Sequence, residues 1–290
     1  MEPHVAQILS KNIWELQQLS DAGQAKSRAR QMLLRAYAEQ VAYTEGQLGV
    51  PEEHRAFILT REDSRDGILL VHGATGSPKD LRELAEFLHA GGFSVYCMRL
   101  PGHGVEEANE GEMRWESALF DLEARYKQLS DCCKNVAVVG YSFGATLAMQ
   151  MELKPRPNAL VLLAPALFPR LGWFKRTLLS LGLDRFESVR RALGWQAELL
   201  DAMAEARKQK WWYGLPVHAT MCKDDLRIDT RGMSFLRSRL THHRTVLREY
   251  AVGGHDFHLG DLSDEVNREV LEFLSTNRQP EHRGGPPPRR

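Results

Sequence analysis

Long apolar runs are missing from this chain. Nowhere do about 20 apolar residues follow one another, the length an α-helix needs to cross a bilayer, so no transmembrane segment is expected. Cysteine is scarce. Cys97, Cys132, Cys133 and Cys222 form no CxxC pair and no evenly spaced framework. This argues against a disulfide-stapled scaffold and for a reduced, cytoplasmic setting. An excess of one charge is missing too. Lys and Arg number 38 and so do Asp and Glu, a balance in which nothing suggests nucleic acid or an anionic membrane as the main partner. The first residues carry charge throughout and lack an apolar core, so no secretory signal is expected there. No HExxH or other ligand-spaced cluster occurs, and neither a metal nor an organic cofactor is expected.

What is present suffices for a large core. Of the 290 residues, 43% are hydrophobic and 26% charged, ordinary values for a globular chain. Val5, Ile8, Leu9, Ile13, Leu16 and Leu19 recur at helical spacing, and a second helix is expected over about 26–45. This extension reads as packing on the main domain, with a homodimer contact or part of a substrate channel as alternatives. From about Phe57 the rhythm changes to strands alternating with helices. Strands are expected at 67–72, 93–98, 136–139, 159–163, 217–221 and 245–252. Helices are expected after Ser77-Pro78, at 115–129, 142–153, 233–240 and 262–274, the first ending at Gly91-Gly92.

Such alternation implies a mostly parallel sheet covered on both faces, with sites gathered at the carboxyl ends of the strands. Gly140-Tyr141-Ser142-Phe143-Gly144 lies at one such end, between a buried strand and a helix. A serine there is lifted out of a tight turn, with helix N-terminal amides beside it. It needs a base to become a nucleophile. Later strand ends supply both partners in the expected chain order. Asp225 follows one strand, with Asp224 and Asp229 as alternatives, and His255 follows two glycines after the last strand, in preference to His258. The carboxylate would fix the imidazole tautomer and leave the other ring nitrogen for the serine proton. The oxyanion would be held by the backbone N–H groups of Phe143 and of Ala74, the latter in the loop His72-Gly73-Ala74-Thr75-Gly76-Ser77. His72 and His103 read as braces rather than catalytic groups.

These stretches resemble the α/β-hydrolase superfamily, and within it the bacterial carboxylesterase and monoacylglycerol lipase group. The matching segments are LLVHGATGSPKDLRELAEFLHAGGFSVYCMRLPGHG, Trp115, VAVVGYSFGA, PVHATMCKDD and GGHDFH, together spanning about 65–275. The resemblance implies an eight-stranded sheet with a helical lid inserted after the sixth strand. The chain then divides into an N-terminal helical extension (1–55), an α/β core (56–165 and 214–277), a cap (166–213) and a disordered tail (278–290).

The cap segment is aromatic and basic, with nine Lys or Arg against five Asp or Glu over 166–213. Its aromatics would either cover the core or line an acyl pocket, with Trp173, Phe174, Leu178 and Trp195 as candidate liners. The expected activity is hydrolysis of carboxylic esters, short- to medium-chain or monoacylglycerol-like, on a small-molecule substrate with an apolar acyl group. Thioester or amide hydrolysis and acyl transfer use the same triad. A non-catalytic binding protein on the same scaffold is the reading from another class.

Overall fold

A computed structural model describes residues 11–15, 17, 26–105, 114–152, 154–170 and 195–278. Its centre is a seven-stranded sheet. The strands are β1 (Phe57–Leu59), β2 (Asp66–Val71), β3 (Ser94–Met98), β4 (Asn135–Tyr141), β5 (Leu160–Leu163), β6 (Val217–Cys222) and β7 (Val246–Tyr250), in spatial order β1-β3-β2-β4-β5-β6-β7. Only β1 runs antiparallel, against β3. The interior strands β3, β4, β5 and β6 are buried at every position. Unbroken Val, Leu and Ile runs are what a parallel strand covered on both faces requires.

The resemblance implied eight strands, and the described residues form seven. The chain that feeds the edge strand β1 is helical. Helix α1 (Lys26–Gln47) precedes it, followed by a turn at Gly49 and a short 3-10 turn over Glu52–His54. Among the described residues the segment expected to form the lid follows the fifth strand, where the resemblance implied the sixth. Residues 171–194 of that segment, with Trp173, Phe174 and Leu178, lie outside the described residues.

Helix α1 buries Ala29, Leu33, Leu34 and Tyr37, and it packs against β1 and against α3 (Trp115–Cys132). Residues 11–15 and 17 are also helical, and the Gln17 amide donates to the Tyr37 hydroxyl at 2.7 Å. Helix α2 (Arg82–Ala90) is entered through a 3-10 turn at Pro78–Leu81. Ser77 and Asp80 cap that turn reciprocally, as a capping box requires. Helix α3 turns Ala118, Leu122, Tyr126 and Leu129 to the core, at helical spacing.

Helix α4 (Phe143–Ala148) is shorter than its apolar pattern suggests. Its last turn tightens, because Gln150 N bonds Leu147 O while the Gln150 side chain takes Thr146 O at 3.1 Å. Within the cap segment lies α5 (Trp195–Ala206), and beyond it lie α6 (Arg231–Arg239) and α7 (Ser263–Thr276). Trp212 is fully buried in the core, and Trp211 donates its indole N–H to Met149 O at 3.0 Å. Among the described residues no helix is long and apolar enough to cross a membrane.

Register sets where the loops emerge. Val71 lies opposite Met98 and Gly140, and Tyr141 lies opposite Leu163, so β2, β3, β4 and β5 end on one rim. Cys222 lies opposite Tyr250, which brings the loops after β6 and β7 to the same rim. The chain goes from β2 to β3 on one side and returns to β4 on the other. The gap between β2 and β4 is therefore the switch point of the sheet, the place where such folds open a crevice.

Candidate active site

Ser142 stands at that switch point, between β4 and α4. Its backbone is left-handed, with φ 53° and ψ −113°, a conformation that costs energy for a residue with a Cβ. Neighbouring contacts impose it. Ser142 N donates to Leu163 O at 2.8 Å, and Ser142 O accepts from Ala145 N and Thr146 N at 3.1 and 3.2 Å. The flanking glycines give the turn its room. A Cβ on Gly140 would lie 2.5 Å from the Ala145 backbone, and one on Gly144 would lie 2.2 Å from Val71 O. Side chains are excluded there because backbone from two other elements already fills the space.

The structure brings Ser142, His255 and Asp225 together. Ser142 Oγ is 2.8 Å from His255 Nε2, and His255 Nδ1 is 2.7 Å from Asp225 Oδ2. A carboxylate only accepts, so Nδ1 carries the ring proton and Nε2 is left to accept from the hydroxyl. All three are buried, with Asp225 wholly so. Asp225 Oδ1 accepts from the amides of Arg227 and Ile228 at 2.8 and 3.0 Å. Burial alone would push the Asp225 carboxyl up. The His255 hydrogen bond and charge, with the two amides, outweigh it and hold the carboxyl below its ordinary range.

The other acids take different places. Asp224 accepts from Gly253 N and Gly254 N at 3.2 and 2.9 Å, fixing the loop that delivers His255. Asp229 accepts from Arg231 N at 2.9 Å and pairs with its guanidinium. His258 is buried against Tyr141, with ring centroids 4.0 Å apart, and burial drives its pKa down to about 4.

Several side chains that brace the loops of the site escaped sequence reasoning. Tyr141 donates its hydroxyl to Asp256 and to His255 O, and its ring lies 5.4 Å from the His255 ring. Arg227 pairs with Asp256 from the acid loop at 3.1 Å. Tyr141 and Asp256 each adjoin a triad member in sequence, and that adjacency was the available signal. Arg170 donates to the backbone carbonyl of Asp225, and Pro169 bridges Ile228, so the root of the cap segment is paired to the acid loop.

The amides of Phe143, at the start of α4, and of Ala74, in the loop after β2, lie at the ends of the two strands that flank the switch point. Phe143 N is the first N–H of α4, where no intrahelical partner exists. Ala74 lies in the loop after β2. There His72 Nε2 accepts from Leu100 N at 3.0 Å, which leaves Nδ1 to donate to Gly73 O at 2.8 Å. Burial pushes the His72 pKa down to about 3, in keeping with a neutral ring. The His103 ring sits between Pro101 O and Ala74 O at 2.9 and 2.7 Å. Trp195, the described member of the proposed pocket lining, opens α5 half-buried. Among the described residues no group of three or more His, Cys, Asp or Glu side chains could hold a metal ion.

Known proteins share this arrangement of chain. Residues 68–275 match the model of a family described as "Alpha/beta hydrolase family". A thermostable monoacylglycerol lipase from Bacillus sp. (strain H-257) is 34% identical over 90 residues, 31% of this chain and 36% of that one. The chain thus aligns with about a third of that lipase's length. A carboxylesterase from Bacillus subtilis (strain 168) is 23% identical over 226 residues, 71% of this chain and 91% of that one. Among solved structures, a monoacylglycerol lipase from Paleococcus ferrophilus superposes with a TM-score of 0.64 at 20% identity, covering 77% of this chain and 99% of that one. The matched span exceeds half of the chain and contains the sheet from Ile68 of β2 onward and all the strand-end loops of the site; the chain belongs to the alpha/beta hydrolase family.

Proposed function

We propose that the protein is a carboxylic ester hydrolase that works through an acyl-enzyme on Ser142. The observation that carries this reading is the unbroken relay of 2.8 and 2.7 Å from Ser142 Oγ through the His255 ring to Asp225. Oγ attacks the ester carbonyl while His255 Nε2 takes its proton. The carbonyl oxygen becomes an oxyanion and is met by the N–H groups of Phe143 and Ala74. As the tetrahedral species collapses, the C–O bond to the alcohol breaks and Nε2 returns the proton to the departing oxygen. Water then adds to the acyl-serine with the same base, and the acid leaves with Ser142 restored.

Both curated relatives are named for ester cleavage, as a monoacylglycerol lipase and a carboxylesterase. The substrate class that fits is therefore a small ester with an apolar acyl group, of short to medium length or in a monoacylglycerol. A series of p-nitrophenyl esters from acetate to decanoate tests this directly, together with a fluorophosphonate probe. Hydrolysis and labelling are expected in the unaltered protein and both are lost in Ser142→Ala. Silence across the whole series, with no labelling of Ser142, overturns the reading.

A further inference from the structure

Helix α1 lies outside the span matched by the family, yet one of its side chains reaches the loop after β3. Arg99 Nε and Nη2 donate to the two carboxylate oxygens of Glu45 at 2.6 and 3.1 Å, a forked pair with side chains only 10% and 11% exposed. The third nitrogen, Nη1, donates to His103 O at 2.8 Å. Glu45 is itself tied to the chain by Ala56 N, at 3.2 Å. Beside the pair lies a cavity of about 360 Å³, lined also by Gln40, Tyr96 and Arg125. Arg99 thus has space to swing into, and the Glu45 carboxylate holds it back.

What Arg99 holds is the frame of Ala74. The Ala74 N–H shares its peptide plane with Gly73 C=O, and the two point in opposite directions across a trans bond. His72 Nδ1 fixes Gly73 O, and the His72 ring is fixed in turn by Leu100 N. The next peptide plane is fixed through Ala74 O by His103 Nε2. Both planes flanking Ala74 are therefore pinned by residues 100–103, the stretch that Arg99 closes into a loop.

We propose that Glu45 and Arg99 are positioning residues that set the Ala74 N–H for the oxyanion, so that the N-terminal extension takes part in turnover. This rests on the serine-hydrolase reading above, with Ala74 as one of the two oxyanion donors. Removing an oxyanion donor outright lowers turnover by about a hundredfold or more. Loosening one is expected to cost about tenfold.

The test measures kcat and KM on p-nitrophenyl butyrate for Glu45→Ala and Arg99→Lys. Each is normalised to the fraction of protein that a fluorophosphonate labels at Ser142, so misfolded molecules drop out. Turnover per labelled site is expected to fall about tenfold with KM within twofold of the parent. Affinity for a trifluoromethyl ketone, whose hemiketal oxyanion mimics the transition state, is expected to fall by the same factor. Glu45→Gln keeps the volume and serves if Glu45→Ala does not fold. Turnover per site within twofold of the parent in the variants overturns this inference alone. A parent that neither hydrolyses esters nor labels at Ser142 overturns the reading beneath it as well.

Discussion

Asp224 and Asp225 are neighbours in sequence, yet they hold two different parts of one loop. Asp224 binds the amides of Gly253 and Gly254, and Asp225 binds the imidazole of His255. One acid places the loop and the other orients the base. Asp225→Asn should lower kcat by about 10⁴, since an amide can donate to Nδ1 and favour the wrong tautomer. Asp224→Asn keeps an oxygen acceptor and should cost about tenfold or less, with a loss of about 1 kcal/mol in stability. Steady-state kinetics and urea unfolding of both variants check this. Equal losses of turnover would mean that the two acids do not divide the work.

Three buried histidines make the fold sensitive to acid. Burial drives the pKa of His72 down to about 3 and those of His218 and His258 down to about 4. In the unfolded chain each titrates near 6.5. Below that value the unfolded state takes up protons that the folded state refuses, so stability falls as pH falls from about 6.5 toward 4. Near pH 5 the difference approaches three protons, a slope of about 4 kcal/mol per pH unit. The Asp225 carboxyl, held low in the fold, adds a further loss at more acid pH, as it becomes protonated. Urea unfolding at pH 7, 6 and 5 measures the slope. His218→Gln should flatten it by about a third, and an unchanged slope would count against a neutral His218.

The elbow glycines should resist the smallest substitution. A Cβ at Gly144 meets the carbonyl oxygen of Val71 at 2.2 Å, and that backbone belongs to the interior strand β2. Gly144→Ala should cost about 3 kcal/mol or more, a drop of about 5–10 °C in Tm. Gly214 has nothing within 4 Å of the same added atom, and Gly214→Ala should leave Tm within about 2 °C. Calorimetry of the pair distinguishes close approach from a general glycine effect.

Tyr141 supports the histidine loop from beneath. Tyr141→Phe removes the hydroxyl that bonds Asp256 and His255 O. Asp256 keeps its partner Arg227 and is half exposed, so the stability loss should be about 1–2 kcal/mol. Turnover should fall less than tenfold. A fall of a thousandfold would place Tyr141 in the proton path instead.

The strand pattern was largely legible in the sequence, because buried parallel strands are apolar without interruption, as in Ile68–Val71 and Val136–Val139. The segment holding Ser142 was legible for the same reason, since it directly follows such a run, whereas Asp225 and His255 follow strands that mix polar with apolar residues and were found through their order in the chain after Ser142. The extent of α4 was not, because the Ala/Leu/Met stretch continues past the point where Gln150 turns its side chain back on Thr146. Nor was the fate of Trp212, which its neighbours in sequence do not distinguish from a pocket-lining ring. The link from Glu45 to Arg99 joins residues 54 positions apart. A single carboxylate on a helix rich in polar residues carries no mark of that partner.

The margins of the sheet have a consequence for life at high concentration. On one side β1 is three residues long, and Arg82 is drawn over its Phe57 ring at 3.8 Å. On the other, β7 presents Arg248 and Glu249, engaged with Glu269 and Arg237 across the neighbouring helices. Short or charged borders are poor templates for an incoming strand. Copies of this protein are thereby discouraged from knitting their sheets together, so any association at high concentration should not proceed by fibrous growth through these borders.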